Sequence, residues 1–174
     1  MSVPSNGRER NTAAGIMVRQ MTAHDIAGFS TLFCDVFASP PWNERWDSAA
    51  VAETIGRTMK NSGFIGFTSM KAKWPVGFIT GFRLAPIPHL SSVLYIDQLF
   101  VDGRVQGAGI GRMLMNTLLR AASEHAYRGA LLLTMPKSAA ESLYRSAGFR
   151  RMLRPVLLRG KGIYYMRLNR ERYE

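Results

Sequence analysis

One cysteine in 174 residues, Cys34, excludes an intramolecular disulfide framework and supplies no thiolate set for a metal. It lies in a helical pattern beside Phe33 and reads as a small buried residue, not a nucleophile. The histidines do not cluster: His24 falls in a first helical turn, His89 in a loop, and His125 near a helix C-terminus, where the dipole favours a cation. No metal site and no histidine catalysis is expected. No apolar run approaches the ~18 residues of a membrane helix, and the opening MSVPSNGRERNTAA carries charge without the apolar segment of a signal peptide. A cytoplasmic protein is expected, with a loose leader over 1–14 and a single domain over 15–174. Internal repeats and low-complexity segments are lacking too, which excludes a solenoid.

Acidic residues are scarce. There are 12 Asp+Glu against 23 Lys+Arg, a net charge of +11, and nine of the basic residues lie between Arg145 and Arg172, where only Glu171 and Glu174 oppose them. Such a cationic end can meet nucleic acid, the phosphates of a small ligand, or solvent alone. Arg150, Arg151 and Arg154 follow Gly148-Phe149 without the interleaved aromatics that stack on bases, so nucleic acid is the less favoured partner.

What is present centres on 94–120, LYIDQLFVDGRVQGAGIGRMLMNTLLR. A strand rich in aromatic, aliphatic and β-branched residues runs into Asp102-Gly103, then glycines at 107, 109 and 111, then a helical apolar pattern. Bare backbone at a helix start suits an anion, because the first N–H groups are unpaired and sit at the positive end of the dipole. The spacing excludes two familiar phosphate sites. No Lys-Ser or Lys-Thr pair follows as a Walker A loop requires, and Gly107-x-Gly109-x-Gly111 is not the Rossmann G-x-G-x-x-G.

Along the rest of the chain, 15–21 alternates as a first strand and Thr22-Ala23-His24-Asp25 reads as a capping-box helix start. Ile26, Phe29, Phe33, Val36 and Phe37 recur at helical spacing until Pro40-Pro41. A second helix over 47–59 is capped by Asp47. Residues 64–70 and 76–84 read as a hairpin turning through KAKWP, with Gly77 and Gly81 weakening its second strand or marking close backbone approach. LAPIPH is a loop. A strand over 93–101, a helix over 109–125 with Ile110, Leu114, Leu118 and Ala121 inward, a strand over 130–135 and a short helix over 138–147 follow. Strands at 156–158 and 163–168, turning near Gly160-Lys161-Gly162, finish the chain. The order predicts an α/β domain with a mixed sheet.

Two motifs carry a resemblance. Gln106-Gly107-Ala108-Gly109-Ile110-Gly111 is similar to the Q-x-x-G-x-G pyrophosphate loop of GNAT-type N-acetyltransferases, and Ala140-x-x-Leu143-Tyr144-x-x-x-Gly148-Phe149 to their A-x-x-L-Y-x-x-x-G-F. The element order also resembles the whole GNAT acyl-CoA N-acyltransferase fold over about 15–170. The resemblance implies that acetyl-CoA is the acyl donor, that the loop from Gln106 through Ala108, Ile110 and Gly111 to Arg112 holds its pyrophosphate, and that the backbone of Leu99, Phe100 and Val101 meets the pantetheine. It also implies that Tyr144 protonates the departing thiolate, a task that suits a phenol with a pKa near 10. The bland alternative is a helix tyrosine on an apolar stripe with Ala140, Leu143 and Ala147. Lys137 departs from the family, which often has a cofactor-contacting asparagine there.

Asp97 is the leading base candidate, with water as the alternative. By alternation it shares a face with Leu99 and Val101, and a carboxylate in an apolar strand binds a cation, takes a proton or pairs with an arginine. Tyr95 is a weaker candidate on that face. In this fold the acceptor site is usually bordered by the link between the first two helices, here Trp42, Glu44, Trp46 and Asp47, which can hold an amine by cation–π and charge contacts or merely cap the core. The expectation is acetyl transfer to a primary amine, most simply of a small molecule. A protein or peptide amine, a non-catalytic acyl-CoA-binding module and a homodimer remain open.

Overall fold

In the computed structural model, which describes residues 10–11, 15–61, 63–84, 93–125, 127–152 and 162–168, the first long strand is β2 (Ile16–Gln20). A two-residue strand, β1 (Arg10–Asn11), pairs antiparallel with it, so part of the stretch read as leader belongs to the sheet. Asp25 then organises the helix start. Its carboxylate accepts the Thr22 N–H at 2.8 Å and the Thr22 hydroxyl at 3.1 Å, and Arg19 grips it at 2.6 and 2.8 Å. Burial alone would push this carboxyl up, but the Arg19 and Thr22 hydrogen bonds outweigh it and hold the pKa below the ordinary value. Helix α1 (Ile26–Ala38) follows and stops at extended Ser39 before the two prolines. Helix α2 (Ser48–Met59) is capped as expected, with Asp47 accepting the Ala49 and Ala50 N–H groups at 3.2 and 3.3 Å.

The hairpin consists of β3 (Ile65–Lys71) and β4 (Trp74–Arg83). Its turn is only Ala72-Lys73, so Trp74 and Pro75 belong to the strand and not to the turn. Both strand glycines mark close approach: a Cβ on Gly77 would lie 2.8 Å from Ser69 Oγ, and one on Gly81 would lie 2.8 Å from the Tyr95 carbonyl oxygen. The remaining elements are β5 (Val93–Val101), α3 (Ile110–Glu124), β6 (Gly129–Thr134), α4 (Ala139–Ser146), β7 (Arg150–Arg151) and β8 (Gly162–Arg167). The loop after Leu84 with His89, the strand expected at 156–158 and the turn at 160–161 lie outside the described residues. No described helix is long and apolar enough to cross a membrane.

One mixed sheet results, in the order β1-β2-β3-β4-β5-β6-β8-β7, with β5 and β6 parallel and the other pairs antiparallel. Its two faces bury different cores. Leu94, Ile96, Ile79 and Leu132 pack with Leu114 and Leu118 of α3, whereas Phe78 and Phe100 pack with Phe29 and Phe33 of α1 and Ile55 of α2.

Two irregularities interrupt the sheet along β5. Between β4 and β5 the register passes from Thr80↔Gln98 to Gly81↔Ile96, leaving Asp97 as the extra residue of a bulge. The bulge shifts the alternation, so Leu94 and Ile96 before it and Leu99 and Val101 after it all face the α3 core. The parallel ladder from β5 to β6 is the second irregularity, because it runs from Val93↔Gly129 to Ile96↔Leu132 and stops there. From Asp97 onward β5 has no pairing to β6, and the sheet is split into a cleft.

Candidate active site

The bulge and the cleft meet at Asp97, which corrects the face expected for it. Residue-by-residue alternation put Asp97 beside Leu99 and Val101; the extra residue instead turns it toward the α1 face with Phe100. Its side chain hydrogen-bonds that of Gln98, a contact between sequence neighbours that a regular strand does not allow. Burial pushes the Asp97 carboxyl above the usual range, with the Gln98 hydrogen bond only partly opposing this. No arginine or lysine forms an ion pair with it among the described residues. Tyr95 lies close by on the same side: burial and then the charge of Asp97 raise its phenol pKa, and its ring meets Phe82 edge-on at 5.4 Å.

Backbone direction along β5 separates the three residues expected to meet the pantetheine. The Phe100 carbonyl points to β4, where it would lie 3.1 Å from a Cβ on Gly77. Because peptide groups alternate, those of Leu99 and Val101 point the other way, into the cleft. The Val101 carbonyl already accepts the Gln106 side-chain amide at 3.0 Å. Phe100 therefore gives the site a ring, not a backbone group, and the Gln106 side chain ties the loop to the strand end.

Beyond Val101, Asp102 caps a 3-10 turn, accepting the Arg104 N–H at 2.9 Å and its guanidinium at 2.6 Å. Gly107 and Gly109 follow with φ of +83° and +78°, left-handed values that β-carbons oppose. Gly109 is the cap of α3, and the first internal bond runs from Met113 N–H to Gly109 O at 3.0 Å. The N–H groups of Ile110, Gly111 and Arg112 therefore have no partner in the preceding turn, and no side chain at 107, 109 or 111 screens them. This donor set fits a pyrophosphate. Gly111 also allows α4 to pack close, since a Cβ there would lie 3.2 Å from Leu143 Cδ2. Gly111→Val is expected to wedge the two helices apart and weaken acetyl-CoA about tenfold, about 1.4 kcal/mol. A thermal-shift titration checks this, and an undiminished acetyl-CoA shift would argue against the loop as the binding site.

Tyr144 is buried on α4 with its ring edge-on to Phe149 at 6.2 Å. Burial pushes its pKa up to about 12, so at neutral pH the phenol is a donor and not a base. Helix α4 is held by contacts that no sequence pattern disclosed. The Ser138 hydroxyl accepts the Glu141 N–H at 3.1 Å, and Tyr164 of β8, fully buried, donates its hydroxyl to Glu141 Oε1 at 2.6 Å. Glu141 Oε2 accepts the N–H of Lys137. Lys137 itself has φ +63°, a conformation asparagine tolerates better than lysine. Lys137→Asn is accordingly expected to raise stability by about 0.5–1 kcal/mol, measured by urea unfolding, whereas a loss would mean that the lysine side chain has a role of its own.

On the opposite face, α1 packs its aromatic rings on β4 and β5. Phe29 touches both Phe78 and Phe100, at 5.2 and 5.0 Å, whereas Phe33 and Phe37 meet Phe100 alone of the two sheet rings, at 5.6 and 6.3 Å. Trp46 then packs edge-on against Phe33 at 5.8 Å and Trp42 lies 5.4 Å from Phe37. The Trp46 indole N–H donates to Glu44 Oε2 at 2.9 Å, and the Cys34 thiol donates to the Trp46 carbonyl at 3.5 Å. Burial raises the Cys34 pKa, so it does not form a reactive thiolate. Asp47 is engaged in capping α2. Thr80, opposite Gln98 in the register, was not anticipated: its buried hydroxyl has no hydrogen-bond partner among the described residues.

The family model for the acetyltransferase (GNAT) domain matches residues 19–169. No curated protein matches the chain in sequence. Among solved structures, a GNAT-family acetyltransferase from Staphylococcus aureus Mu50 aligns with a TM-score of 0.74 at 20% identity, covering 88% of this chain and 99% of that one. A ribosomal-protein-alanine N-acetyltransferase from Brucella melitensis gives 0.69 at 18% identity, with 86% and 97% covered. A phosphinothricin acetyltransferase from Sinorhizobium meliloti, in complex with acetyl-CoA, gives 0.71 at 12% identity, with 88% and 89% covered. The chain belongs to the GNAT acetyltransferase family. Its reaction class is acetyl-CoA-dependent N-acetylation, with acetyl-CoA as the acyl donor.

Proposed function

We propose that the protein acetylates the primary amine of a small molecule by direct attack on the acetyl-CoA thioester. The observation that carries this reading is the break between β5 and β6, which begins at Asp97 on the strand that runs into the glycine loop; Tyr144 is assigned to its reacting end by the motif it matches. Acetyl-CoA supplies an activated carbonyl when bound. Asp97, or water beside it, takes a proton from the substrate ammonium, because only the neutral amine is a nucleophile. The Leu99 and Val101 N–H groups face the side on which negative charge develops as the C–N bond forms. Tyr144 gives its proton to the sulfur as the C–S bond breaks, and the second proton, which the nitrogen sheds on becoming an amide, passes through water to restore the phenol. Glu44, Trp42 and Trp46 border the entry for the amine, with Tyr95 deeper.

Free-thiol release across amines, amino acids and short peptides tests the reading. Turnover confined to peptide N-termini would replace it with protein acetylation, the activity named for the Brucella relative. Acetyl-CoA binding without turnover of any acceptor would leave only a binding module. Residues 15–174 are proposed to act as one domain.

A further inference from the structure

We infer that the acceptor carries its amine on an aromatic or otherwise flat apolar body, and that Trp42 and Trp46 read that body; this narrows the amine-acetylation reading and rests on it. The aromatic contacts that begin at Phe78 and Phe100 in the sheet continue without a break through Phe33 and Phe37 to the two indoles. The series ends in the open, with Trp42 43% and Trp46 52% exposed. A tryptophan that only closes a core buries most of its ring, and an exposed pair on a ring-lined wall leaves apolar surface for a ligand to cover.

Charge defines the rest of the ligand. At the inner end the Asp97 carboxylate has neutral Gln98 as its hydrogen-bond partner. At the outer end Glu44 is bonded to an indole N–H. Neither acid forms an ion pair among the described residues. Anionic groups on an aromatic wall complement a single cation on an apolar frame: the rings take the frame and the ammonium both by area and by cation–π attraction, and the carboxylate takes the proton. A strongly hydrated polycation gains little from the rings, because burying its charges against them strips their hydration.

The test compares phenethylamine, ethanolamine and spermidine as acceptors in the parent, Trp42→Ala and Trp46→Ala, with acetyl-CoA binding followed by thermal shift. The expected result is a kcat/KM for phenethylamine at least tenfold above the other two. In each variant that preference over ethanolamine should fall about tenfold, with the change in the phenethylamine KM and not in the KM for acetyl-CoA. Equal or better use of ethanolamine or spermidine, or a preference unchanged in both variants, overturns the inference while amine acetylation stands. Acetyl-CoA binding with no amine acetylated overturns both.

Discussion

Tyr144→Phe is expected to lower thiol release about a hundredfold or more while leaving the acetyl-CoA thermal shift in place, the size of effect that a positioned general acid contributes. The substitution keeps the ring and its contact with Phe149 and removes only the phenol hydroxyl of a buried side chain. Folding should therefore be little changed near neutrality. The phenol's pKa of about 12 adds a second signature. A group whose folded pKa is raised above its unfolded value, here near 10, contributes stability that is intact below pH 10 and lost as pH rises toward 12. The parent should lose urea resistance over that window more steeply than the variant. An alkaline limb in the rate well below pH 11 would belong to some other group. Equal turnover of variant and parent would remove Tyr144 from the chemistry.

Asp97→Asn should separate activity from stability. Removing the base is expected to cost about 10²-fold or more in kcat/KM at neutral pH, with recovery as pH nears the ~10 at which an alkyl ammonium loses its own proton. The same change is expected to raise the unfolding temperature. Burial raises the folded pKa of Asp97, so the stability linked to this carboxyl is complete below the ordinary aspartate value of 3.8 and is lost as pH climbs through the folded pKa. Asparagine never ionises and avoids that loss. The variant's advantage should thus be present at pH 7 and vanish below about pH 4. Retained turnover would assign the proton to water, and a lower unfolding temperature would make Asp97 a structural carboxylate.

The same residue marks the limit of what the chain could disclose. The stretch 93–125 was legible because each signal in it is local: β-propensity, then glycines, then an apolar stripe at helical spacing. The caps at Asp25 and Asp47 were legible for the same reason. The bulge was not, because two residues of β5 opposite one step of β4 is a property of the pair, and alternation read along one strand put Asp97 on the wrong face. Nor was the Tyr164–Glu141 bond, whose partners are 23 residues apart and come together only in the folded chain. Phe100 shows both cases at once. Its place in the strand was evident, but the direction of its carbonyl follows from its register opposite Phe78 on the neighbouring strand.

The break between β5 and β6 also concerns the endurance of the fold. Four residue pairs join the antiparallel half of the sheet, β1 to β5, to the half formed by β6, β8 and β7. A donor whose arm bears amides can bond along Leu99 and Val101 and so act as a splint across that seam. The idle protein should open there first, and amide exchange at Leu99 and Val101 should slow on adding acetyl-CoA by more than the shift in global stability explains. Exchange that slowed uniformly instead would mean the halves open together. A donor bound there would brace a four-pair joint, so that turnover would alternate a braced sheet with an unbraced one.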